Sequence, residues 1–241
     1  MTATLSCRDQ LLTDGFAIIR GILSSHEIPQ LIGSLRRLGE DDSVRRRGGV
    51  FAVRNLLDVS PAVRELAHSP RVLEMVYSIL GNAAFPVRGI LFDKTSGANW
   101  KVPWHQDVTI AVADRQEVEG FGPWSMKAGV LHVQPPASVL EKMLSVRIHL
   151  DPCSEANGAL KVVPGSHQLG RLPEQEAGRL GTAGPATNCA AEAGDALLMR
   201  PLLLHASSAA AAPTHRRVIH LDFAAVQLPG GLRWASEEVE S

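Results

Sequence analysis

Short β-rich runs separated by turn-forming residues occupy the chain from Phe85 onward and restrict the folds that it can adopt. Gly, Pro and Asn break these runs at irregular intervals, a pattern typical of a sandwich or barrel of antiparallel strands. The sequence therefore predicts a mainly β, α+β protein with its core in residues 85–228. The eight runs are FPVRGILFDK, DVTIAVA, GVLHVQP, LSVRIHLD, ALKVVPGSH, GDALLMRP, LLLHASS and RRVIHLDFAA.

Residues 1–84 differ in pattern and are predicted to form a mostly helical N-terminal layer. We expect a helix ending at Thr13, a short strand in GFAIIRG, a helix capped by Ser24 or Ser25, and two helices in SPAVRELAHSPRVLEMVYSILGN. The charged segment DDSVRRRGGVFAVRN predicts an exposed loop. No Pro/Gly/Ser-rich linker separates the two parts, so we interpret residues 1–241 as a single domain.

Composition excludes several classes of partner. The 241 residues are 45% hydrophobic and 20% charged, with a formal net charge of -1, which predicts no binding to nucleic acid or to an anionic membrane. A small-molecule substrate is the remaining expectation. Cysteine is odd in number and widely spaced, and the N-terminus has no continuous apolar core, so we expect a cytoplasmic location. The oligomeric state stays unknown.

His105 and Asp107 form a His-x-Asp pair that suggests half of a metal site. Such a pair is weak evidence by itself in a chain with nine histidines, because a polar turn can show the same residues. His205, at the end of a later β-rich run, supplies a third ligand. Two histidines and one carboxylate form the facial triad of non-haem Fe(II) oxygenases, which leaves coordination positions open for other ligands.

Arg216 follows His205 by eleven residues and stands at the head of the run RRVIHLDFAA. A guanidinium grips a carboxylate through two parallel hydrogen bonds, as a dicarboxylic keto-acid requires. Arg217 is the competing candidate. Adjacent residues of a strand point to opposite faces, so only one of the two arginines should enter the barrel.

The sequence resembles the phytanoyl-CoA dioxygenase family of Fe(II)- and 2-oxoglutarate-dependent oxygenases. The resemblance rests on DGFAIIRGILS, WHQD, NGALKVVPGSH, GDALLMRPLLLHASS and RRVIHLDFA, and it covers most of the chain. It implies a double-stranded β-helix (jelly roll, cupin-like), with Fe(II), 2-oxoglutarate and O2 as cofactor and co-substrates. It also implies that His105, Asp107 and His205 are the iron ligands. Arg216 matches the 2-oxoglutarate anchor by its spacing from the distal histidine.

Further polar residues are candidates for the same site. Ser207 is predicted to share the strand face of His205, where it either bonds the co-substrate carboxylate or caps a turn. Lys94 and Arg147 each interrupt an apolar β-run, as Arg88 also does, and we expect Lys94 and Arg147 to point a second cation into the barrel. Residues flanking the His-x-Asp pair are predicted either to shape the substrate mouth or to pack, namely Asn99, Trp100 and Trp104.

The sequence thus predicts a 2-oxoglutarate-dependent dioxygenase that hydroxylates a small molecule and releases succinate and CO2. The resemblance also implies hydroxylation. Halogenases related to this family replace the carboxylate ligand with a small residue to make room for a halide on iron, whereas this chain has Asp107. One alternative stays open, a non-catalytic metal or 2-oxoglutarate sensor or scaffold of the same fold. A zinc hydrolase is disfavoured, because no carboxylate is recognisably placed as a general base and hydrolysis does not explain Arg216. No sequence feature selects the substrate. The triplet Arg45 to Arg47, together with Arg54, suits either an anionic substrate or a solvated loop.

Overall fold

Antiparallel strands in three sheets build most of the structure. In this computed structural model the described residues are 6–38, 44–46, 50–95, 99–127, 129–211 and 215–236. The strands are β1 (Phe16–Ile19), β2 (Val44–Arg46), β3 (Val50–Val53), β4 (Phe85–Lys94), β5 (Val102–His105), β6 (Ile110–Val112), β7 (Trp124–Lys127), β8 (Val130–Val133), β9 (Met143–His149), β10 (Leu160–Val162), β11 (Thr187–Cys189), β12 (Ala196–Met199), β13 (His205–Ser207) and β14 (Arg216–Ala224).

Helices begin and end where the sequence supplies suitable caps. A capping box between Ser6 and Asp9 opens the first helix, prolines at the first turn open two others, and Gly81, with a φ of 87°, ends one of these. Within the described residues no helix is long and apolar enough to cross a membrane. The helices are α1 (Cys7–Thr13), α2 (Glu27–Arg36), α3 (Leu56–Val59), α4 (Pro61–Ala67), α5 (Pro70–Leu80), α6 (Ala137–Leu140) and α7 (Glu174–Ala183).

A seven-stranded sheet and a four-stranded sheet enclose the interior of a double-stranded β-helix, which confirms the predicted fold. The large sheet has the order β1-β12-β9-β14-β4-β3-β2, and the small one has the order β11-β10-β13-β5. Side chains from both sheets line one shared cavity. A third sheet, β6-β8-β7, lies at the border of this cavity and contributes Lys127 to it.

Strand alternation divides the large sheet into an apolar face and a polar face. On β9, Leu144, Val146 and Ile148 pack into the same core as helices α2, α4 and α5. The intervening residues of β9 and β14 point into the barrel because successive side chains of a strand alternate between its faces. These inward residues include buried polar and charged groups, namely Ser145, Arg147, His149, Arg216, His220 and Asp222.

All eight predicted β-rich runs contain a strand, and the predicted helices in residues 1–84 are present. The prediction of an exposed loop for DDSVRRRGGVFAVRN was wrong for its described part. There, β2 and β3 form an antiparallel hairpin, and β3 pairs with β4 at the edge of the large sheet. Clustered charge and the Gly pair indicated a loop, whereas pairing of β3 with β4 stabilises the extended conformation of VFAV. Sequence patterns also missed the short strands β5, β7 and β11.

Candidate metal centre and its cavity

His105, Asp107 and His205 converge at one end of the small sheet. β13 pairs with β5 in a register that sets His205 directly opposite His105, and the two ring centroids are 4.2 Å apart. Asp107 Oδ2 lies 3.6 Å from His205 Nε2, and Asp107 Oδ1 lies 3.9 Å from His105 Nε2. Among the described residues, only these three bring His, Cys, Asp or Glu ligand atoms together, all within 4.8 Å of one another.

Backbone carbonyls fix the orientation of both imidazoles. His105 Nδ1 lies 2.8 Å from the Pro103 carbonyl oxygen, and His205 Nδ1 lies 2.9 Å from the Leu203 carbonyl oxygen. Each Nδ1–H donates to its carbonyl, so each Nε2 keeps a lone pair directed at Asp107. Metal-binding histidines are commonly held in this way by hydrogen bonds from the second ring nitrogen.

The charge states also suit metal binding. Burial lowers the pKa of His205 to about 4, so the imidazole is neutral at pH 7 despite the nearby Asp107 carboxylate. Burial acts against ionisation of Asp107, but the adjacent His205, His220 and His105 outweigh it and hold the pKa of Asp107 below its usual value. Neutral imidazoles and an ionised carboxylate are the protonation states that bind a divalent metal.

Gln106 lies between His105 and Asp107 and fixes the His-x-Asp segment through three side-chain hydrogen bonds. Its Nε2 donates to the carbonyl oxygens of Gly170 and Leu202, and its Oε1 accepts from the Leu172 N–H. The Asp107 N–H donates to the Pro201 carbonyl at 2.9 Å. The His-x-Asp segment is therefore tied to the residues that lead into β13, which carries the third member of the triad.

Lys94, Arg147 and Arg216 form what we call the inner basic group of the cavity. All three are buried, and β4 and β14 pair Lys94 directly with Arg216. Lys94 Nζ donates to Ser207 Oγ at 3.1 Å and to the Ser208 carbonyl at 2.8 Å. Burial and the nearby Arg216 lower the pKa of Lys94 to about 8. The structure therefore brings together the four residues that the sequence singles out for a keto-acid carboxylate.

Arg216 and Arg217 lie on opposite faces of β14. Arg216 enters the cavity and donates through Nη1 to the Gly158 carbonyl oxygen. Arg217 lies outside this cavity and grips the Asp151 carboxylate with two hydrogen bonds, Nε–Oδ2 of 2.8 Å and Nη2–Oδ1 of 2.7 Å. A guanidinium that already holds a carboxylate within the protein does not reach the cavity, so the geometry favours Arg216 of the two.

A hydrogen-bonded chain runs along the inward face of β14 beside the triad. Arg147 Nη1 donates to His220 Nδ1 at 2.8 Å, and His220 Nε2 lies 2.8 Å from Asp222 Oδ1. Asp222 also accepts from Arg88 Nε at 2.8 Å and from Ser145 Oγ at 2.6 Å. Burial acts against ionisation, but Arg88 and His220 hold the pKa of Asp222 well below its usual value.

Arg54, Arg88 and Lys127 form what we call the outer basic group of the same cavity, and all three are half-buried. Lys127 Nζ donates to Thr109 Oγ1 at 3.0 Å. Arg88 precedes Lys94 by six residues on the inward face of β4, which corresponds to about 20 Å along a strand. The two basic groups therefore lie toward opposite ends of the cavity, with the triad between them.

The model of the phytanoyl-CoA dioxygenase family matches residues 11–218 of this chain. The chain belongs to this family. The matched range contains His105, Asp107, His205 and Arg216, and the resemblance recognised in the sequence is confirmed.

Individual proteins of similar sequence or structure are 19% to 26% identical to this chain. An ectoine dioxygenase from Bordetella parapertussis is 26% identical over 164 residues, which cover 64% of this chain and 46% of the relative. The chain therefore spans about half the length of that protein. AviO1 from Streptomyces viridochromogenes is 24% identical, with a TM-score of 0.66 over 92% of this chain and 96% of its own. EctD from S. alaskensis, crystallised with 2-oxoglutarate and 5-hydroxyectoine, is 19% identical, with a TM-score of 0.69 over 91% and 74%.

Two of the three residues that flank the His-x-Asp pair pack against the scaffold, which is one of the two roles predicted for them. Trp104 points away from the cavity and packs so closely on α7 that a Cβ at Gly181 would lie 2.3 Å from its ring. The Asn99 side chain exchanges two hydrogen bonds with the backbone of Ala210. Trp100 does line the cavity, and its ring centroid lies 5.5 Å from Lys94 Nζ.

The outer basic group shows what sequence patterns missed. Lys127 lies on β7, a short strand without a clear alternation, and Arg88 was the candidate set aside in favour of its neighbours. The side chains of the triplet Arg45 to Arg47 lie outside the described residues. The sequence did contain a signal for Arg88. It precedes Lys94 by six residues in the same strand, and an even separation puts two side chains on the same face.

Proposed function

We propose that the protein is an Fe(II)- and 2-oxoglutarate-dependent dioxygenase that hydroxylates a small molecule. The overall reaction converts a substrate C–H bond, 2-oxoglutarate and O2 into an alcohol, succinate and CO2. The observation that carries the proposal is the convergence of His105, Asp107 and His205 between two basic groups of one cavity. Membership of the phytanoyl-CoA dioxygenase family supports it.

The donor set fits Fe(II) in chemistry and in protonation. Two imidazole nitrogens and a carboxylate bind this metal and leave half of an octahedral sphere open. His105 and His205 direct their Nε2 lone pairs to the place where Asp107 directs its oxygens. Iron held there would supply the activation of O2 that is coupled to oxidative decarboxylation of the keto-acid.

The inner basic group fits the distal carboxylate of 2-oxoglutarate. Arg216 offers a planar fork of donors, Lys94 adds a compact charge, and the Ser207 hydroxyl lies 3.1 Å from Lys94 Nζ. Arg147 contributes charge from the neighbouring strand while its Nη1 is committed to His220. Charge-assisted hydrogen bonds to a dianion compensate the desolvation of these buried cations, which the protein itself pairs mainly with neutral groups.

Part of the cavity wall near the triad is apolar. Apolar side chains from both sheets line it, namely Ile90, Phe92, Val102 and Leu160. Phe92 stands edge-on to His220, with ring centroids 6.0 Å apart. Apolar surroundings strengthen the electrostatic interactions inside a cavity, and a bound substrate that covers His105 and Asp107 would exclude water further.

The same observations disfavour a zinc hydrolase. Hydrolysis on such a triad needs a general base beside the metal. Among the described residues that line the cavity, Asp107 is the sole carboxylate, and it belongs to the triad. Asp222, the nearest other acid on β14, is tied to Arg88, Ser145 and His220.

Two measurements on the purified protein test the proposal. Anaerobic addition of Fe(II) and 2-oxoglutarate should produce a weak visible charge-transfer band, and exposure to air should then release succinate. The Arg217→Met protein serves as the matched control for Arg216→Met, because the two arginines are adjacent but face opposite sides of β14. Folded protein that gives no band contradicts the proposal. A band without any succinate, even with a broad substrate panel, instead identifies a binding protein of the same fold.

A further inference from the structure

The cavity contains more positive charge than Fe(II) and 2-oxoglutarate account for, and this inference rests on the proposed function. Six basic side chains line it, and Asp107 is the sole acid among its described lining residues. A divalent cation and a dianion cancel each other's charge when both are bound. Binding of Fe(II) and 2-oxoglutarate together therefore leaves the net positive charge of the cavity unchanged.

Binding of 2-oxoglutarate gives an anionic partner to only three of the six basic side chains. Lys94, Arg147 and Arg216 surround the place assigned to the distal carboxylate of 2-oxoglutarate. Arg88 is neutralised within the protein by Asp222, at an Nε–Oδ2 distance of 2.8 Å. Lys127, by contrast, hydrogen-bonds the hydroxyl of Thr109, which is a neutral group. A half-buried ammonium in such surroundings is stabilised by an anion.

The surroundings of Lys127 are consistently electropositive. Burial, followed by the nearby Arg88 and Arg54, lowers the pKa of Lys127, and Asp107 acts in the opposite direction. His132, on the adjacent strand β8, donates through Nδ1 to the Val130 carbonyl at 3.0 Å. Burial, with Arg88 and Lys127 nearby, lowers the pKa of His132 to about 4, so this imidazole is neutral at pH 7 and adds no further positive charge.

The position of the outer basic group suits a substrate that enters from outside. Arg54 and Arg88 line both the cavity and a neighbouring groove between the α3 segment and the third sheet. The group therefore stands at the border of the cavity, whereas the three residues of the inner group are buried. Thr109, which accepts from Lys127, follows Asp107 by two residues, so the outer group lies close to the triad.

We propose that the primary substrate carries an oxyanion, a carboxylate or a phosphate ester, which Lys127 and the Thr109 hydroxyl bind within the outer basic group. The remainder of the substrate then extends from this anchor toward the triad. Binding a charged end at a fixed place positions one C–H bond near the metal, which is how remote contacts promote a reaction at a distant atom.

Matched pairs of small molecules test this directly. The probes are octanoate with octanamide, phenylacetate with phenylacetamide, and phenyl phosphate with phenol. Each is added to protein loaded with 2-oxoglutarate and the redox-inert Ni(II) and followed by thermal shift, and to the Fe(II) protein and followed by succinate release. We expect the anionic member of a pair to bind at least tenfold more tightly than its neutral partner. Comparing the carboxylates with phenyl phosphate identifies the type of oxyanion.

The variant Lys127→Gln should weaken binding of the preferred anion by roughly tenfold to hundredfold, and Lys127→Arg should restore much of it. Lys142→Gln is the matched control, because this lysine is exposed on the loop before β9. Equal responses to both members of every pair, including no response to either, overturn the inference. The Ni(II) and 2-oxoglutarate thermal shift without probe reports separately on the proposed function, so the two failures are distinguishable.

Discussion

The inner and outer basic groups each have one member on the inward face of β4, Lys94 and Arg88, but the groups differ in burial and in what fixes them. Lys94 of the inner group is 1% exposed and is held by Ser207 and by the Ser208 carbonyl. Lys127 of the outer group is half-buried, lies on a short strand of the third sheet and bonds a single hydroxyl. All three members of the inner group thus lie on the central sheet, whereas Arg88 is the only member of the outer group that does.

This difference matches two different tasks. A co-substrate that never changes is best gripped by residues of long paired strands, since their positions are set by many neighbours. A substrate that differs among relatives is best recognised by border strands and loops, which vary without loss of the core. Asp222 links the two groups, because it accepts from Arg88 directly and reaches Arg147 through His220.

The largest effect is expected from removing a member of the triad that both groups flank. His105→Ala should abolish binding of Fe(II) or Ni(II) and turnover together, because two ligands hold a divalent metal much more weakly than three. Isothermal titration with Ni(II) and succinate release measure the two losses. His26→Ala, at an exposed position, should change neither. Full metal affinity in the His105 variant would show that the metal binds elsewhere, and it would contradict a metal centre between the two basic groups.

Breaking the link between the two groups should cost stability. Asp222→Asn leaves Arg88 without its carboxylate, and we expect the free energy of unfolding to fall by roughly 3 kcal/mol, as for other broken buried pairs. Urea denaturation measures this. The matched control is Asp114→Asn, whose exposed pair with Arg233 should contribute less than about 1 kcal/mol. An unchanged midpoint for Asp222→Asn would show that the two groups are independent.

The pH dependence of the same pair has a defined sign. The pKa of Asp222 in the folded state lies below its unfolded value of about 3.9. Its contribution to stability is therefore complete above that unfolded value and is lost as the pH falls through it toward the folded value. The wild-type protein should lose stability more steeply than Asp222→Asn below about pH 4. Parallel curves would contradict this assignment.

A smaller effect is expected from Lys94 at alkaline pH. Its pKa of about 8 means that the free protein loses this charge as the pH rises above that value. A dianion prefers the protonated amine, so the affinity for 2-oxoglutarate should weaken above pH 8 by up to about tenfold per pH unit. Lys94→Met should bind more weakly and lack this alkaline decline. An identical decline in the variant would show that a residue other than Lys94 titrates.

Sequence reasoning recovered the strands with strong β-propensity, the helices of residues 1–84 and the residues that form the triad. These succeeded because each rests on a local pattern or on spacing between matching residue types, as for His205 and Arg216. The hairpin of β2 and β3 was missed because its charges imitate a solvated loop. For Trp104 the sequence left packing and a place at the substrate mouth open, because nothing local shows that α7 covers its strand. That contact depends on Gly181, far along the chain.

The outer basic group could not be assembled from sequence for a related reason. Arg54, Arg88 and Lys127 come from a helix entry, the central sheet and the third sheet, so only tertiary packing brings them together. No spacing rule connects them. For Arg216 and Arg217 the spacing from His205 favoured Arg216, and the structure adds the partner Asp151, which lies beyond β9 and shows that Arg217 faces outward.

The affinity of the Ni(II)-loaded protein for 2-oxoglutarate, measured by isothermal titration, separates the two groups most sharply. We expect Arg216→Met to raise the dissociation constant roughly a hundredfold, because two charge-assisted hydrogen bonds are lost. Lys127→Gln and Arg217→Met should leave the constant unchanged. A large increase for Lys127→Gln with none for Arg216→Met would contradict the assignment, since it would place the keto-acid at the outer basic group and the substrate at the inner one.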